Sequence, residues 1–99
     1  MERLKITWDI SKNTANKRKH GISFEEAQSV FYDEFARLIH DPDHSGMEDR
    51  YILLGRSSRL RLMIVCHCYR EEHHTIRIIS ARKAKRSEKK QYEDFGYER

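Results

Sequence analysis

Residues 50–79, RYILLGRSSRLRLMIVCHCYREEHHTIRII, carry the pattern that decides the fold. Three apolar runs of strand length are separated by the short polar segments 56–59 and 71–74, a spacing typical of an antiparallel meander. The middle run is apolar at every position from Leu62 to Cys66, which predicts a strand buried on both faces. We therefore expect this strand at the centre of a sheet, with helices over at least one face.

The N-terminal segment predicts a short strand followed by a helix. Residues 3–8 alternate between polar and apolar types, which indicates a strand near the edge of the sheet. Asp9 is a good N-cap and Gly21 a good C-terminal stop, so the spacing predicts a helix over 10–20. Its last turn is basic, and cations there complement the helix dipole without any ligand.

A second helix is predicted to begin at about residue 24. Ser23 and Glu26 have the spacing of a capping box, in which each residue satisfies a backbone N–H group of the first turn. Apolar residues then recur at helical spacing, while the acidic residues fall off that stripe and are expected to face solvent. These acidic residues are Glu25, Glu26, Asp33 and Glu34.

Residues 37–40 have the composition of a further strand, and Asp41-Pro42-Asp43 is expected to end it. The turn-rich stretch that follows is predicted to be the most flexible loop of the chain. His44 and Glu48 fall on it, where a carboxylate is by default solvated but is also able to approach a ligand.

The C-terminal segment is the most basic part of the sequence, with six Lys or Arg among residues 82–90. A helix is expected from Arg82, and helical spacing places Ala81, Ala84, Glu88, Tyr92 and Phe95 on one face. The element order is then β-α-α-β-β-β-β-α. We expect a single small α+β domain over 1–99, with an antiparallel sheet, two N-terminal helices and a basic C-terminal helix.

The composition argues against a membrane-spanning or secreted protein and indicates a surface that binds a polyanion. The 99 residues are 37% hydrophobic and 36% charged, and no apolar run approaches the ~20 residues of a membrane span. The N-terminus lacks the apolar region of a signal peptide, so we expect a cytoplasmic protein. Net charges of +4, −7 and +7 over residues 1–20, 21–49 and 50–99 indicate a positive patch for a polyanion and a negative patch for another partner.

Several blocks along the chain resemble those of the BrnT toxins of bacterial type II toxin–antitoxin systems. They are Trp8-Asp9 with Lys12 and Asn16, Lys19-His20-Gly21 with Phe24, Ala27 and Phe31, Asp41 to Glu48 with Arg50, Gly55-Arg56, and Ile78-Ile79-Ser80-Ala81-Arg82 with Glu88 and Tyr92. The resemblance implies a RelE-like fold, metal-independent RNA cleavage that inhibits translation, and neutralisation by a BrnA-like antitoxin. It implies contact with DNA only through that antitoxin.

Cleavage of RNA through the 2′-hydroxyl needs a base, an acid and cations on the phosphate. Arg82 is the first candidate for phosphate binding, because we expect it at the start of the basic helix, and Arg77 is the second. For both, the alternative is an ion pair, with Glu88 the obvious partner of Arg82. His20 is the candidate acid or base beside Lys19, although a helix-capping role also explains this histidine.

Binding residues follow from the charge pattern. RNA is expected to contact the basic helix through Arg82, Lys83, Lys85, Arg86 and Lys89, unless these residues form only a solvated face. The acidic set Glu25, Glu26, Asp33 and Glu34 is expected to dock the antitoxin.

No cofactor is expected. Cys66-His67-Cys68 and the pair His40 and His44 lack the spacing of zinc motifs, and His67 is expected to be a packed strand residue. The scattered glycines form no phosphate-binding loop. The function expected is therefore a metal-independent endoribonuclease toxin. The alternatives are a non-catalytic nucleic-acid-binding or antitoxin-like regulator and a pure protein-interaction module.

Overall fold

The computed structural model describes residues 5–45, 49–70 and 74–97, so Arg3, Leu4 and Glu48 lie outside the described residues, as does the side chain of His44. The predicted α+β class and element order are confirmed. None of the helices in the described ranges is long and apolar enough to cross a membrane. The elements are β1 (Lys5–Trp8), α1 (Ile10–His20), α2 (Phe24–Ala27) continuing as a 3₁₀ turn (Gln28–Tyr32), β2 (Arg37–Ser45), β3 (Asp49–Arg56), β4 (Leu62–Arg70), β5 (Thr75–Lys83) and α3 (Arg86–Tyr97).

The five strands form one sheet in the order β1-β5-β4-β3-β2. The apolar strand β4 is central, as predicted. Strands β3 to β5 form the expected antiparallel meander, and β2 extends it by one antiparallel strand. Strand β1 lies at the edge, also as predicted, but it pairs with β5 in parallel. The sheet is therefore mixed. After β1 the chain crosses to β2 at the opposite edge and then returns strand by strand to β5, which lies beside β1.

Strand β5 is longer than the sequence predicted, and this changes the place of Arg82. The strand continues past Ile79 to Lys83, because β4 offers backbone hydrogen-bonding partners along this whole length. Arg82 is consequently a strand residue and does not start the basic helix, and Ala81 and Ala84 also precede that helix. The helix begins at Arg86.

A β-bulge in β5 decides which way its arginines point. The pairing with β4 shifts by one residue between Ile78 and Ser80, so Ile79 is an extra residue. Arg77 and Arg82 face partners on β4 that are four positions apart, and both therefore lie on the same face of the sheet. Without the bulge, simple alternation would place them on opposite faces.

Strand β2 corrects the prediction of a loop after residue 40. It runs through Asp41-Pro42-Asp43 to Ser45, with an irregular register between His40 and Ser45. Proline is tolerated here because β2 is an edge strand, in which one side of the backbone has no ladder partner to lose.

The two faces of the sheet carry separate cores. Helices α1 and α2 cover the main core, and on the other face Tyr92 of α3 packs with Leu54 and Ile64. Gly55 of β3 permits close approach of the 3₁₀ turn, because a Cβ atom there would lie 2.8 Å from Cγ1 of Val30. The buried residues of the main core are Ile22, Phe24, Ala27, Val30, Leu53, Met63, Val65, Ile78 and Ala81.

Two buried asparagines, Asn13 and Asn16, attach helix α1 to the rest of the protein. Oδ1 of Asn13 accepts a hydrogen bond from the Phe24 N–H at 2.8 Å. Asn16 bonds both the N–H and the carbonyl oxygen of Ala81, at 3.1 and 2.8 Å. The helix has the predicted bounds, and Gly21 ends it at φ 71°.

Candidate functional site

One end of the sheet gathers cations from four elements. Strand β3 ends, β4 begins and β5 ends there, because consecutive antiparallel strands exchange ends. The C-terminus of α1 reaches the same end, since Nη2 of Arg61 donates to the Gly21 carbonyl oxygen at 3.3 Å. We call this region the basic edge and define it as Lys17, Lys19, His20, Arg56, Arg59, Arg61, Lys83, Lys85, Arg86 and Lys89.

A cavity of about 380 Å³ opens in the basic edge, between the β3–β4 hairpin and α3. Its charged lining consists of four cations and one carboxylate, and Tyr92 forms part of the wall. Such an excess of positive charge favours an anionic ligand. The four cations are Arg56, Arg61, Lys83 and Lys89, and the carboxylate is Glu93.

The β3–β4 hairpin is held by Glu26, which corrects the expectation that this carboxylate faces solvent. Its side chain is only 6% exposed. Oε2 accepts hydrogen bonds from Ser57 Oγ at 2.7 Å and Arg61 Nε at 2.8 Å, while Oε1 accepts from Arg61 Nη2. The Arg61 hydrogen bonds lower the pKa of Glu26 below its ordinary 4.5.

The half-buried Asp33 also accepts hydrogen bonds from other parts of the protein. Oδ2 accepts hydrogen bonds from the Arg56 N–H at 2.8 Å and from the Tyr92 hydroxyl at 2.7 Å. Burial acts to raise the pKa of Asp33, but these hydrogen bonds and one from the Phe35 N–H lower it overall. Asp33 thus joins β3 to α3 beside the cavity.

The other two acidic residues predicted to dock an antitoxin, Glu25 and Glu34, are exposed. Oε1 of Glu25 accepts a hydrogen bond from Asn13 Nδ2 at 2.8 Å. The predicted acidic set therefore consists of the buried Glu26, the half-buried Asp33 and two exposed glutamates.

Arg82 makes the ion pair that the sequence left open as an alternative. Its Nη1 and Nη2 donate to Oε1 and Oε2 of Glu88, both at 2.8 Å. Glu88 Oε1 also accepts from the Lys85 N–H at 2.8 Å, which caps α3. The Glu88 carboxylate raises the pKa of Arg82, and the Arg82 guanidinium lowers the pKa of Glu88. The pair fastens α3 to β5.

The four predicted catalytic residues do not meet at one point. Arg77 and Arg82 pair with β4 residues that are four positions apart, which is about 13 Å along an extended strand. Lys19 and His20 lie on α1, and Asn16 holds that helix against the face of the sheet opposite to Arg82. His20 and Lys19 nevertheless belong to the basic edge, whereas Arg77 lies away from it.

Four of the predicted RNA-binding residues lie in or beside the cavity. Lys83 and Lys89 line the cavity, and Lys85 and Arg86 are exposed beside it. Sequence reasoning missed Arg56, Arg59 and Arg61. The signal was available, because three arginines lie in six residues across a short hairpin connection.

His67 is a fully buried strand residue, as predicted. Its Nδ1 lies 3.1 Å from the Val65 carbonyl oxygen, its ring contacts Phe31 edge to face, and burial lowers its pKa. Within residues 5–45, 49–70 and 74–97, His, Cys, Asp and Glu form no group of three or more able to hold a metal ion.

Comparison with known proteins identifies the family. A family model described as the ribonuclease toxin, BrnT, of type II toxin–antitoxin systems matches residues 8–88. The crystal structure of the Brucella abortus ribonuclease toxin BrnT has the same fold, with a TM-score of 0.64 over 85% of this chain and 100% of that chain, at 22% identity. No curated protein sequence matches this chain. The chain belongs to the BrnT family of ribonuclease toxins of type II toxin–antitoxin systems.

Proposed function

We propose that the protein cleaves RNA at the basic edge without a metal ion. The observation that carries this proposal is the cavity of about 380 Å³ with four cations and a single carboxylate in its lining. A phosphodiester bound there would be contacted by guanidinium and ammonium groups, which make strong charge-assisted hydrogen bonds to phosphate oxygens.

The reaction proposed is an internal transfer of the phosphate. The ribose 2′-oxygen bonds to phosphorus and the bond from phosphorus to the 5′-oxygen breaks, which leaves a 2′,3′-cyclic phosphate and a 5′-hydroxyl. One proton leaves the 2′-hydroxyl and one reaches the departing 5′-oxygen. Arg56, Arg61, Lys83 and Lys89 would stabilise the negative charge that builds on the phosphate.

His20 is the proposed acid or base, because an imidazole can both donate and accept a proton and this one is the last residue of α1, next to the Gly21 carbonyl that Arg61 contacts. Lys19 adds positive charge beside it. Arg82 and Arg77 remain candidates for phosphate contact, but Arg82 also fastens α3 through Glu88. Loss of activity in Arg82→Ala would therefore not separate chemistry from structure.

Lys89→Met tests the cavity, with Lys90→Met as its matched control. Lys89 lines the cavity, whereas its neighbour Lys90 is exposed and pairs with Asp94 at 3.4 Å. We expect Lys89→Met to lower kcat/KM for labelled single-stranded RNA at least about tenfold in excess chelator, because one charge-assisted phosphate contact is lost. Lys90→Met should stay within about twofold of the parent.

An equal fall in both variants would mean that only overall charge matters, and the cavity would not be the site. Protection of RNA without new ends, with or without added ribosomes, would indicate the non-catalytic nucleic-acid-binding protein instead. Cleavage that requires an added divalent ion would overturn the metal-independent reaction.

We further propose that RNA cleavage inhibits translation in the cytoplasm and that the neutralising antitoxin is BrnA-like. Membership of a type II toxin–antitoxin family implies an antitoxin partner. Glu25 and Glu34 are exposed and lie in the most acidic part of the sequence, so they are the proposed contacts for a basic antitoxin segment.

Charge reversal tests this docking surface. We expect Glu25→Lys and Glu34→Lys each to weaken the complex with the antitoxin encoded beside the toxin gene by about fivefold at low salt, measured by calorimetry. Asp94→Lys is the control, because this exposed carboxylate lies on α3. Unchanged affinity in both glutamate variants would remove the surface from the interface.

A further inference from the structure

Leu60 combines two unfavourable features at the tip of the β3–β4 hairpin. Its φ is +63°, and no other non-glycine residue in the described ranges has a positive φ. Its side chain is 78% exposed although it is large and apolar. A left-handed backbone costs an L-residue free energy, so neither folding nor burial explains a leucine here.

The type of hairpin loop shows why a leucine is unusual at this position. The Ser57 N–H donates to the Arg61 carbonyl oxygen and the Leu60 N–H donates to the Ser57 carbonyl oxygen, both at 2.9 Å. These bonds close a three-residue loop whose last residue is left-handed, a position at which glycine is the usual choice. Leucine therefore breaks a local rule, which is the kind of exception expected at functional sites.

The hairpin also holds this exposed residue in a fixed place. Ser57 is 4% exposed and is bonded to the buried Glu26. The Ser58 N–H donates to Ser29 Oγ at 2.8 Å. A rigid base of this kind presents Leu60 outward, so its exposure is a property of the folded loop.

The surroundings of Leu60 indicate what it contacts. It stands between Arg59 and Arg61 in sequence and lines the same cavity as Lys83 and Lys89. An apolar side chain at the mouth of a cationic cavity matches a ligand that has both an apolar face and a negative charge. A nucleotide in single-stranded RNA has this combination in its base and phosphate.

We propose that Leu60 forms a subsite for one unpaired nucleobase, next to the cavity that binds the phosphate. The inference rests on the proposed function, because it takes RNA as the ligand of the basic edge. The contact is made to the flat face of the base, so it favours unpaired over paired nucleotides without reading sequence.

The test compares the parent with Leu60→Gly in binding to two labelled oligonucleotides. Both carry 2′-O-methyl groups and resist cleavage, but one is abasic at its central positions. We expect Leu60→Gly to bind the base-bearing oligonucleotide about tenfold more weakly than the parent does. The abasic oligonucleotide should bind equally to both proteins, since only phosphate contacts remain.

The melting temperature is a second measurement. If Leu60 stabilised the fold, Leu60→Gly would lower Tm, whereas a binding role predicts a higher Tm. Glycine relieves the left-handed backbone, so Tm of Leu60→Gly is expected to rise by about 4 °C. Leu60→Asn suits the same backbone and should show the same loss of base-dependent binding. Ile10→Ala removes an aliphatic side chain that is 80% exposed on α1, and it should leave binding unchanged.

The outcomes separate the two proposals. Equal binding of base-bearing and abasic oligonucleotides by the parent, or unchanged binding in Leu60→Gly, would overturn the subsite. A parent that prefers the base-bearing oligonucleotide through Leu60 but cleaves no RNA would support the subsite while the proposed ribonuclease reaction fails.

Discussion

Glu26→Ala is expected to lower the free energy of unfolding by about 3 kcal/mol. The carboxylate is buried and accepts hydrogen bonds from Ser57 and Arg61, so its removal takes away the acceptor of the buried Ser57 hydroxyl and the ion-pair partner of Arg61. Arg61 is 31% exposed and regains some hydration, which keeps the loss below that of a fully buried pair. Urea unfolding measures the change, and Glu34→Ala, at an exposed position, should stay within about 0.5 kcal/mol.

The pH dependence of the free energy of unfolding tests whether the negative charge of Glu26 is the source of its stabilising effect. The folded protein lowers the pKa of Glu26 below its ordinary 4.5, so its contribution to stability is fully present above that pH. The contribution disappears as the pH falls below about 4.5 and the carboxylate becomes protonated. The stability difference between the parent and Glu26→Gln should therefore shrink on acidification, and a difference that stayed constant would contradict this account.

Glu26 also affects function, because it fixes the hairpin that carries four cavity-lining residues, Arg56, Leu60, Arg61 and Leu62. Glu26→Gln keeps the volume and a hydrogen bond to Ser57 but loses the ion pair with Arg61. RNA cleavage by this variant should fall even where it remains folded, because the cation at the cavity is less well placed.

Local signals predicted both ends of α1 and the start of α2 correctly. Asp9 caps α1 by accepting from the Lys12 N–H at 3.1 Å, and Gly21 ends it, so both signals act within a few residues. Ser23 similarly accepts from the Glu26 N–H at 3.0 Å. The predicted capping role of the Glu26 side chain was wrong, because this carboxylate bonds Ser57 and Arg61, which are 31 and 35 residues away in sequence.

The extent of β5 shows where local reasoning fails. The basic run from Arg82 has helical composition, yet its first two residues pair with β4 as a strand. Backbone hydrogen bonds to a neighbouring strand outweigh the weak helix preference of two residues. No sequence pattern predicts the bulge at Ile79 either, and this bulge places Arg77 and Arg82 on the same face of the sheet.

The candidate site was predictable only in part for the same reason. Lys83 and Lys89 were expected to bind RNA from charge density alone, and both line the cavity. Arg56 and Arg61 join them because the end of the meander meets α3, where Tyr92 reaches Asp33. No pattern within either segment indicates this meeting.

Asn16→Ala is expected to be the most destabilising substitution considered, with a loss of about 4 kcal/mol and a fall in Tm of at least about 15 °C. Asn16 is 6% exposed. Strand β1 ends at Trp8, opposite Ile78, so it does not reach Ala81 on β5. The amide of Asn16 takes the place of a strand there, donating to the Ala81 carbonyl oxygen at 2.8 Å and accepting from its N–H at 3.1 Å.

The same amide donates to the Ile22 carbonyl oxygen at 2.9 Å, so alanine would leave three backbone groups without this partner. Asn16→Asp tests the argument with little change of volume, because a carboxylate cannot donate to the two carbonyl oxygens and should destabilise at least as much as alanine. Thr14→Ala on the exposed side of α1 is the control. A loss below about 1 kcal/mol in Asn16→Ala would show that α1 is held by other contacts, and that His20 does not depend on Asn16 to reach the basic edge.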